Sequence, residues 1–296
     1  MKHTPTVSIV TPSFNMLQYL KLCSASVQDQ KVSLEHIVMD GGSTDGTKEW
    51  LLENPHIISE SKPDKGMYHA LNKAISMAKG EIIAHLNSDE QYLPGTLSFV
   101  LEYFRNNPDV DFIAGDFLVV DVEGNLVAYR KAFTPRWPYF FSNYLYTTTC
   151  SLFYRRKIFD LCKFDESYKS IADVIFLYDV IKNSFRAAHV RKYFSTFTYS
   201  GTNLSLAPLS TIEKKRFDKL LPVWFRIMRP LFKVSFFGEK LIRGTYTEKS
   251  PFSYAIYSKE KLNERTIRVH HKPTFRLKFE KRAVTNSVFK TVKILL

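Results

Sequence analysis

The chain has 296 residues, long enough for one large domain or a domain with a sizeable appendage, and carries a formal charge of +13. No run approaches the roughly 18 consecutive apolar residues that a membrane span needs, and Met1-Lys2-His3-Thr4-Pro5-Thr6 leads into a strand without the apolar stretch of a secretory leader, so a cytoplasmic location is expected. Three cysteines, Cys23, Cys150 and Cys162, lack metal-ligand or redox spacing and read as reduced thiols.

In chain order, Val7-Ser8-Ile9-Val10-Thr11 predicts a strand ending at Pro12-Ser13-Phe14-Asn15. Leu17, Leu20, Ser24 and Val27 follow at helical spacing, with Asn15 as the expected cap. A second strand, Glu35 to Met39, stops at Asp40-Gly41-Gly42-Ser43-Thr44-Asp45-Gly46-Thr47. The glycines of this loop allow close approach of a ligand, and Asp40 at the strand end suits hydrogen bonds from a base or ribose. The alternative is a tight turn with a helix cap at Ser43 or Thr44. The loop Ser61-Lys62-Pro63-Asp64-Lys65-Gly66 then opens a helix through Ala70, Leu71, Ala74, Ile75 and Ala78. Asp64 and Lys65 are either a solvated charged turn or groups facing a ligand at the helix N-terminus. The strand Ile82 to Leu86 ends in Asn87-Ser88-Asp89-Glu90.

Strand, polar loop, helix, strand is the grammar of an α/β protein with a mostly parallel sheet and helices on both faces. In such sheets ligands bind beyond the carboxyl ends of the strands, where carboxylates can hold a cation and, through it, a phosphate. The ordered motifs at Val7–Asn15, Asp40–Thr47, Pro63-Asp64-Lys65-Gly66 with Ala70-Leu71-Asn72-Lys73-Ala74, and Leu86-Asn87-Ser88-Asp89 resemble the family 2 glycosyltransferases of the GT-A fold. The resemblance covers about the first two thirds of the chain. It implies a nucleotide-sugar donor, with UDP the default nucleotide, held by Thr11, Pro12, Asp40, Asp64, Lys65, Asn87 and Ser88. It places Asn87-Ser88-Asp89 where the family carries its Asp-x-Asp motif, with Asp89 binding Mn2+ or Mg2+ so that the departing diphosphate is neutralised. His69, where an acidic residue is often found, is expected to be a half-exposed structural histidine.

Strands resume at Asp111–Asp116 and Phe117–Asp121, and a Glu123-Gly124-Asn125 turn into Leu126–Tyr129 predicts a hairpin. The aromatic and hydroxyl residues of Pro135–Phe141 and Tyr144–Ser151 suit a sugar-binding wall or a core. Asp173 is expected near the start of an amphipathic helix, where the macrodipole favours a carboxylate. The resemblance makes it the catalytic base of an inverting transfer, with Val174-Ile175 departing from the usual polar continuation. Tyr199–Ser205 resembles the loop that closes the catalytic domain, with one glycine, Gly201, retained.

Charge divides the chain unevenly: residues 1–200 hold 21 Lys and Arg with 22 Asp and Glu, whereas residues 201–296 hold 21 and 7. Residues 214–243 interleave basic with bulky apolar residues, the pattern of a segment lying in an anionic membrane surface. The alternative is helices packed on the catalytic domain or a second subunit. Pro222 and Pro230 are expected to break it into short pieces. No nucleic-acid motif accompanies the charge. The expected organisation is a GT-A domain over 1–205, with a donor half (about 1–115) and an acceptor half (about 116–205), followed by a basic, largely helical region over 206–296. Residues 247–296 suggest a strand or an irregular tail. The expected reaction is transfer to a saccharide or lipid-linked saccharide in surface polysaccharide synthesis, by an enzyme peripheral at the inner membrane face. A nucleotide-sugar binder without catalysis, or a membrane-docking scaffold, would share parts of this pattern.

Overall fold

The structure is a computed structural model that describes residues 6–137, 147–201, 203–204 and 207–273. The elements run β1 (Val7–Ser13), α1 (Leu17–Gln28), β2 (Leu34–Asp40), α2 (Thr47–Glu53), β3 (Ile58–Ser61), α3 (Met67–Met77), β4 (Ile82–His85), β5 (Gln91–Tyr92) and α4 (Thr96–Asn106). They continue with β6 (Phe112–Val120), β7 (Leu126–Arg130), a short 3-10 turn, β8 (Leu152–Arg155), α5 (Lys157–Leu161), α6 (Ala172–Lys182) and β9 (Ala187–Thr198). The C-terminal part holds α7 (Pro208–Leu220), α8 (Val223–Ile242), β10 (Phe252–Ser258) and β11 (Lys261–His270).

The main sheet has the order β3-β2-β1-β4-β8-β6-β9-β5, with β7 added to β6. Strands β1 to β4 are mutually parallel, and β6 and β9 share their direction because β8 runs antiparallel to both β4 and β6. Only β5, β7 and β8 run the other way.

Alternation along the strands explains why they read as unbroken apolar runs. Ile82 and Ala84 of β4, Ile113 of β6 and Phe153 of β8 turn to one face, where Cys23 and Val27 of α1 and Leu97, Val100 and Phe104 of α4 cover them. Ile83, Phe112, Ala114, Leu152 and Tyr154 turn to the other, against Leu71 and Ala74 of α3 and Phe176 and Leu177 of α6. A strand buried on both faces has no polar side to show. Each fully buried Leu or Phe contributes about 1.5–3 kcal/mol. Close packing also dictates Gly80, where an added Cβ would lie 2.5 Å from the Ser8 backbone nitrogen.

Several local expectations change on contact with the fold. Residues 112–120 form one strand rather than two. Asn15 does not cap α1: it sits at φ 52°, and its side chain accepts the Thr44 N–H at 2.9 Å, while Asp45 accepts the Leu17 N–H at 2.9 Å. Ser43 and Thr44 do not cap α2 either, because Asp45 takes the Thr47 N–H and hydroxyl at 3.2 and 2.6 Å. Pro222 ends one helix and starts the next, but α8 passes through Pro230 unbroken. Pro230 lies on the exposed side of α8, where water can serve the carbonyl left without a partner. Residues 252–270, unplaced by periodicity, form an antiparallel hairpin. Residues 138–146, Thr202, Ser205 and the stretch from 274 onward lie outside the described residues, and with them most of the expected aromatic wall and part of the Tyr199–Ser205 loop.

Phe217 of α7, Leu221 just after it and Phe225 of α8 join the core cluster that contains α3 and α6. The hairpin packs on α1 and β5: Gln91 and Tyr257 exchange hydrogen bonds, with the Gln91 amide donating to Tyr257 O at 3.1 Å and Tyr257 N–H donating back at 2.8 Å. Arg265 adds a forked contact to both Asp29 oxygens at 2.5 and 2.7 Å and donates to Tyr92 O at 2.8 Å.

His36 on β2 is buried beside Thr11, with Nε2 3.0 Å from the threonine hydroxyl. Burial lowers its pKa to about 3, so the native state keeps it neutral. The unfolded chain binds a proton near pH 6.5, so this contribution is complete above that pH and is lost as pH falls below it, at on the order of 2 kcal/mol between pH 7 and pH 5. Denaturant unfolding at the two pH values should show that loss in the wild type and a smaller one in His36→Gln. Equal pH dependence in both would refute the assignment.

Candidate active site at the carboxyl edge of the sheet

Because both faces are covered, the polar loops emerge at the carboxyl edge of β1, β2, β3 and β4. Asp40, the last residue of β2, is buried, and its carboxylate accepts the Ser43 N–H at 3.0 Å, the Ser61 hydroxyl at 2.6 Å and the Ser43 hydroxyl. It therefore braces two loops and also lines a cavity of about 90 Å³ with Asp64, Lys62, Lys73 and His69. Asp64 is exposed and accepts the Gly66 N–H at 2.6 Å. Gly66 precedes α3 at φ 113°, a backbone state that a side chain would strain. Lys65 is exposed and outside the cavity wall, and its carbonyl accepts the Lys169 ammonium at 2.8 Å. His69 is half-buried on that wall, and its Nδ1 has no hydrogen-bond partner among the described residues.

The Thr11 side chain is buried against His36, away from the loop edge. The Pro12 carbonyl instead accepts the Ser88 hydroxyl at 2.9 Å, tying the end of β1 to the turn after β4. That turn is closed on itself. Glu90 N–H donates to Asn87 O at 3.0 Å, Asn87 N–H donates to the Glu90 carboxylate at 2.8 Å, and the Asn87 side-chain oxygen lies 2.8 Å from His85 Nε2. Asn87, Ser88 and Glu90 thus shape the turn that presents Asp89. The Asp89 carbonyl accepts the Thr198 hydroxyl, and Asp89 lines a second cavity of about 190 Å³, shared with Tyr19, Thr198, Tyr257 and Lys259.

Burial raises the pKa of both Asp89 and Glu90, and repulsion from Asp89 raises Glu90 further. No lysine or arginine is paired with Asp89 among the described residues. A half-buried carboxylate without a protein cation is a hard oxygen donor suited to Mg2+ or Mn2+. No three His, Cys, Asp or Glu side chains converge on one point among the described residues, so such an ion would complete its coordination with ligand oxygens.

Asp173 lies in the first turn of α6, as its position in the amphipathic pattern predicts. Its carboxylate accepts the Tyr68 hydroxyl at 3.2 Å and the Val174 N–H at 2.9 Å. Desolvation raises its pKa, partly offset by these hydrogen bonds and by the charge of Lys214. Tyr68, Thr198, Glu213 and the β10–β11 hairpin escaped the sequence reading. Tyr68 reads as a helix residue and the rest lie far from the motifs they serve.

The Glycosyl transferase family 2 model matches residues 8–163, from β1 past α5, which is more than half of the 296 residues. The chain belongs to that family. It is 28% identical over 227 residues to a chondroitin synthase of Pasteurella multocida strain Pm70, covering 72% of this chain and 22% of the relative. It is 27% identical over 231 residues to a hyaluronan synthase of Pasteurella multocida, covering 73% and 23%. The chain thus spans less than a quarter of the length of these curated relatives. Among solved structures, that of S. aureus TarS residues 1–349 in complex with UDP-GlcNAc superposes with a TM-score of 0.61 at 20% identity, over 80% of this chain and 73% of that one. The likeness establishes a GT-A type α/β fold for this family 2 member. Asp173, the α7–α8 pair and the hairpin all lie beyond the matched segment.

The bracing role of Asp40 has a measurable signature. Asp40→Ala leaves three donors without their acceptor and should lower stability by about 2–3 kcal/mol in urea unfolding, whereas the exposed Asp64→Ala should cost about 1 kcal/mol or less. Similar losses in the two variants would contradict the hydrogen-bond geometry.

Proposed function

We propose that the chain transfers a sugar from a nucleotide-sugar, with UDP as the nucleotide, to an acceptor hydroxyl with inversion at the anomeric carbon. The observation that carries this reading is two partly buried carboxylates, Asp89 in the turn after β4 and Asp173 in the first turn of α6. Among the described residues no lysine or arginine pairs with Asp89, and Asp173 is held by Tyr68 with its pKa raised by burial. The S. aureus TarS complex with UDP-GlcNAc supports the choice of donor, and the names of the Pasteurella relatives support polysaccharide synthesis.

In this reading Asp40 and Asp64, which share a cavity, contact the nucleoside, Lys65 lies beside them, and Thr11 and Pro12 support the strand end from within the fold. Asn87 and Ser88 hold the turn that carries Asp89. Mn2+ or Mg2+ shared between Asp89 and the diphosphate would supply Lewis-acid stabilisation of the leaving group. Asp173 takes the proton of the acceptor hydroxyl as its oxygen bonds to the anomeric carbon and the bond from that carbon to the phosphate oxygen breaks. The donor half covers about 1–115 and the acceptor half about 116–205.

Two measurements test the chemistry. In a panel of nucleotide-sugars with Mn2+ or Mg2+, one donor should release nucleotide slowly, and Asp89→Ala should abolish that release. Asp173→Asn should lower kcat by roughly 10²–10⁴. The acid limb of the kcat profile should lie above the ordinary carboxylate value near 4, because desolvation disfavours the charged base and a higher pH is needed to free it. Failure of the wild type to bind any nucleotide-sugar would refute the reading.

The acceptor is proposed to be a saccharide, presented on a lipid at an anionic membrane surface. No helix among the described residues is long and apolar enough to cross a membrane. Helix α8 instead buries Phe225 and Phe236 while exposing Ile227 (70%), Leu231 (59%), Val234 (70%) and Leu241 (69%) on another side. Arg226 and Lys233 are exposed and seven residues apart, so they lie together beside that apolar stripe. The two acids of 214–243 are already paired, Asp218 with Arg229 at 2.7 Å and Glu239 with Arg243 at 2.7 Å, which leaves basic charge in excess. An apolar stripe flanked by cations fits an anionic bilayer lying along the helix. Vesicles containing phosphatidylglycerol should pellet the protein at low salt, and an Ile227→Glu/Leu231→Glu variant should bind at least about tenfold more weakly. Undiminished binding by the variant would exclude α8 as the contact.

A further inference from the structure

Glu213, on α7, makes an unusual set of contacts for a side chain outside the family-matched segment. It is 6% exposed, and its two carboxylate oxygens accept three consecutive backbone N–H groups: Lys169 at 2.7 Å, Ser170 at 2.9 Å and Ile171 at 3.2 Å. Ile171 is the residue at which α6 begins, and it provides no side-chain cap of its own. The orphan donors at a helix start need an acceptor, and a negative charge there is favoured by the helix dipole. Here that acceptor comes from a different helix, more than forty residues further along the chain.

The segment that Glu213 holds leads directly into Asp173. It is fixed at two further points, since the Lys169 ammonium donates to Lys65 O at 2.8 Å and the Ser170 hydroxyl donates to Leu204 O at 3.0 Å. The neighbour of Glu213, Lys214, acts on Asp173 through its charge. One turn of α7 therefore acts on the Asp173 carboxylate through charge and on the 169–171 backbone before it by hydrogen bonds.

We propose that Glu213 is a positioning residue for Asp173, clamping the 169–171 segment so that the first turn of α6 presents its carboxylate to the acceptor hydroxyl. The inference rests on the reading of Asp173 as the base. A carboxylate with three N–H donors fixes both the tilt and the register of the turn, because moving it would break several charge-assisted bonds together. The clamp also gives the α7–α8 pair a mechanical link to the reacting end of the site.

The test uses the full chain with Glu213→Gln, Glu213→Asp, Asp173→Asn and the double variant Glu213→Gln/Asp173→Asn. Glu213→Gln should lower kcat for nucleotide release at least about tenfold. UDP affinity measured calorimetrically with Mn2+, and KM for the donor, should stay within about threefold. Amide exchange over Lys169–Val174 should quicken about tenfold or more, while α1 and α4 stay protected. In the Asp173→Asn background, Glu213→Gln should cause no further loss of kcat, since a residue acting through Asp173 has nothing left to position. Losses that multiply, or unchanged exchange at 169–174, would overturn the proposal. Should Glu213→Gln fail to fold, Glu213→Asp carries the same readouts, with one methylene removed and the charge kept. Full activity in Asp173→Asn would instead remove the base assignment, an outcome separable from failure of the clamp alone.

Discussion

Two-sided burial of the sheet is the constraint on which the rest of the structure depends. With α1 and α4 on one face and α3 and α6 on the other, the apolar side chains of β1, β4, β6 and β8 meet apolar neighbours, and polar groups inside need a partner within the layer. Ser8 meets this need by donating to Glu35 at 2.6 Å while accepting the Gly80 N–H at 2.7 Å, and Thr11 meets it through His36. Chemistry that requires solvent, charge and a ligand is thereby confined to the strand ends. Asp40, Asp64 and Asp89 all lie there for that reason.

The same physics decides what could be read from the residues alone. Strands buried on both faces and helices with one apolar stripe leave local patterns, so β1, β2, β4, α1 and α3 were legible, as were Asp89 at a strand end and Asp173 at a helix start, whereas β3, short and largely exposed, was not read. Contacts between distant residues leave no such trace. Tyr68 and Asp173 are 105 positions apart, and Gln91 and Tyr257 are 166 apart. Nothing in the composition around Glu213 distinguishes a clamp from an ordinary surface acid. The Asn15 cap failed for a related reason: cap preference is local, but the Asp40–Thr47 loop brings Asp45 to the start of α1 from another part of the chain. Pro230 shows the limit of propensity as an argument, since a helix that packs through Phe225 and Phe236 tolerates a proline on its solvent side.

Charge and burial are arranged in opposite senses in the two parts of the chain. At the turn after β4, Asp89 and Glu90 are sunk into the fold, where burial makes their ionisation costly. Along α7 and α8, the acids Asp218 and Glu239 are each matched with an arginine. Glu213 is the exception that joins the two. It is an acid on the basic helix pair whose partners are backbone N–H groups of the segment before α6.

The β10–β11 hairpin bears on how the molecule comes into being. Tyr257 and Lys259 close the cavity beside Asp89, and Arg265 fastens them to Asp29 and to the Tyr92 carbonyl. Synthesis proceeds from the N-terminus, so β1 to β5 leave the ribosome long before their last wall exists. During that interval Gln91 has no hairpin backbone to pair with, and the cavity lies open to any solute. The wall beside Asp89 is thus completed only with the residues around 257–265.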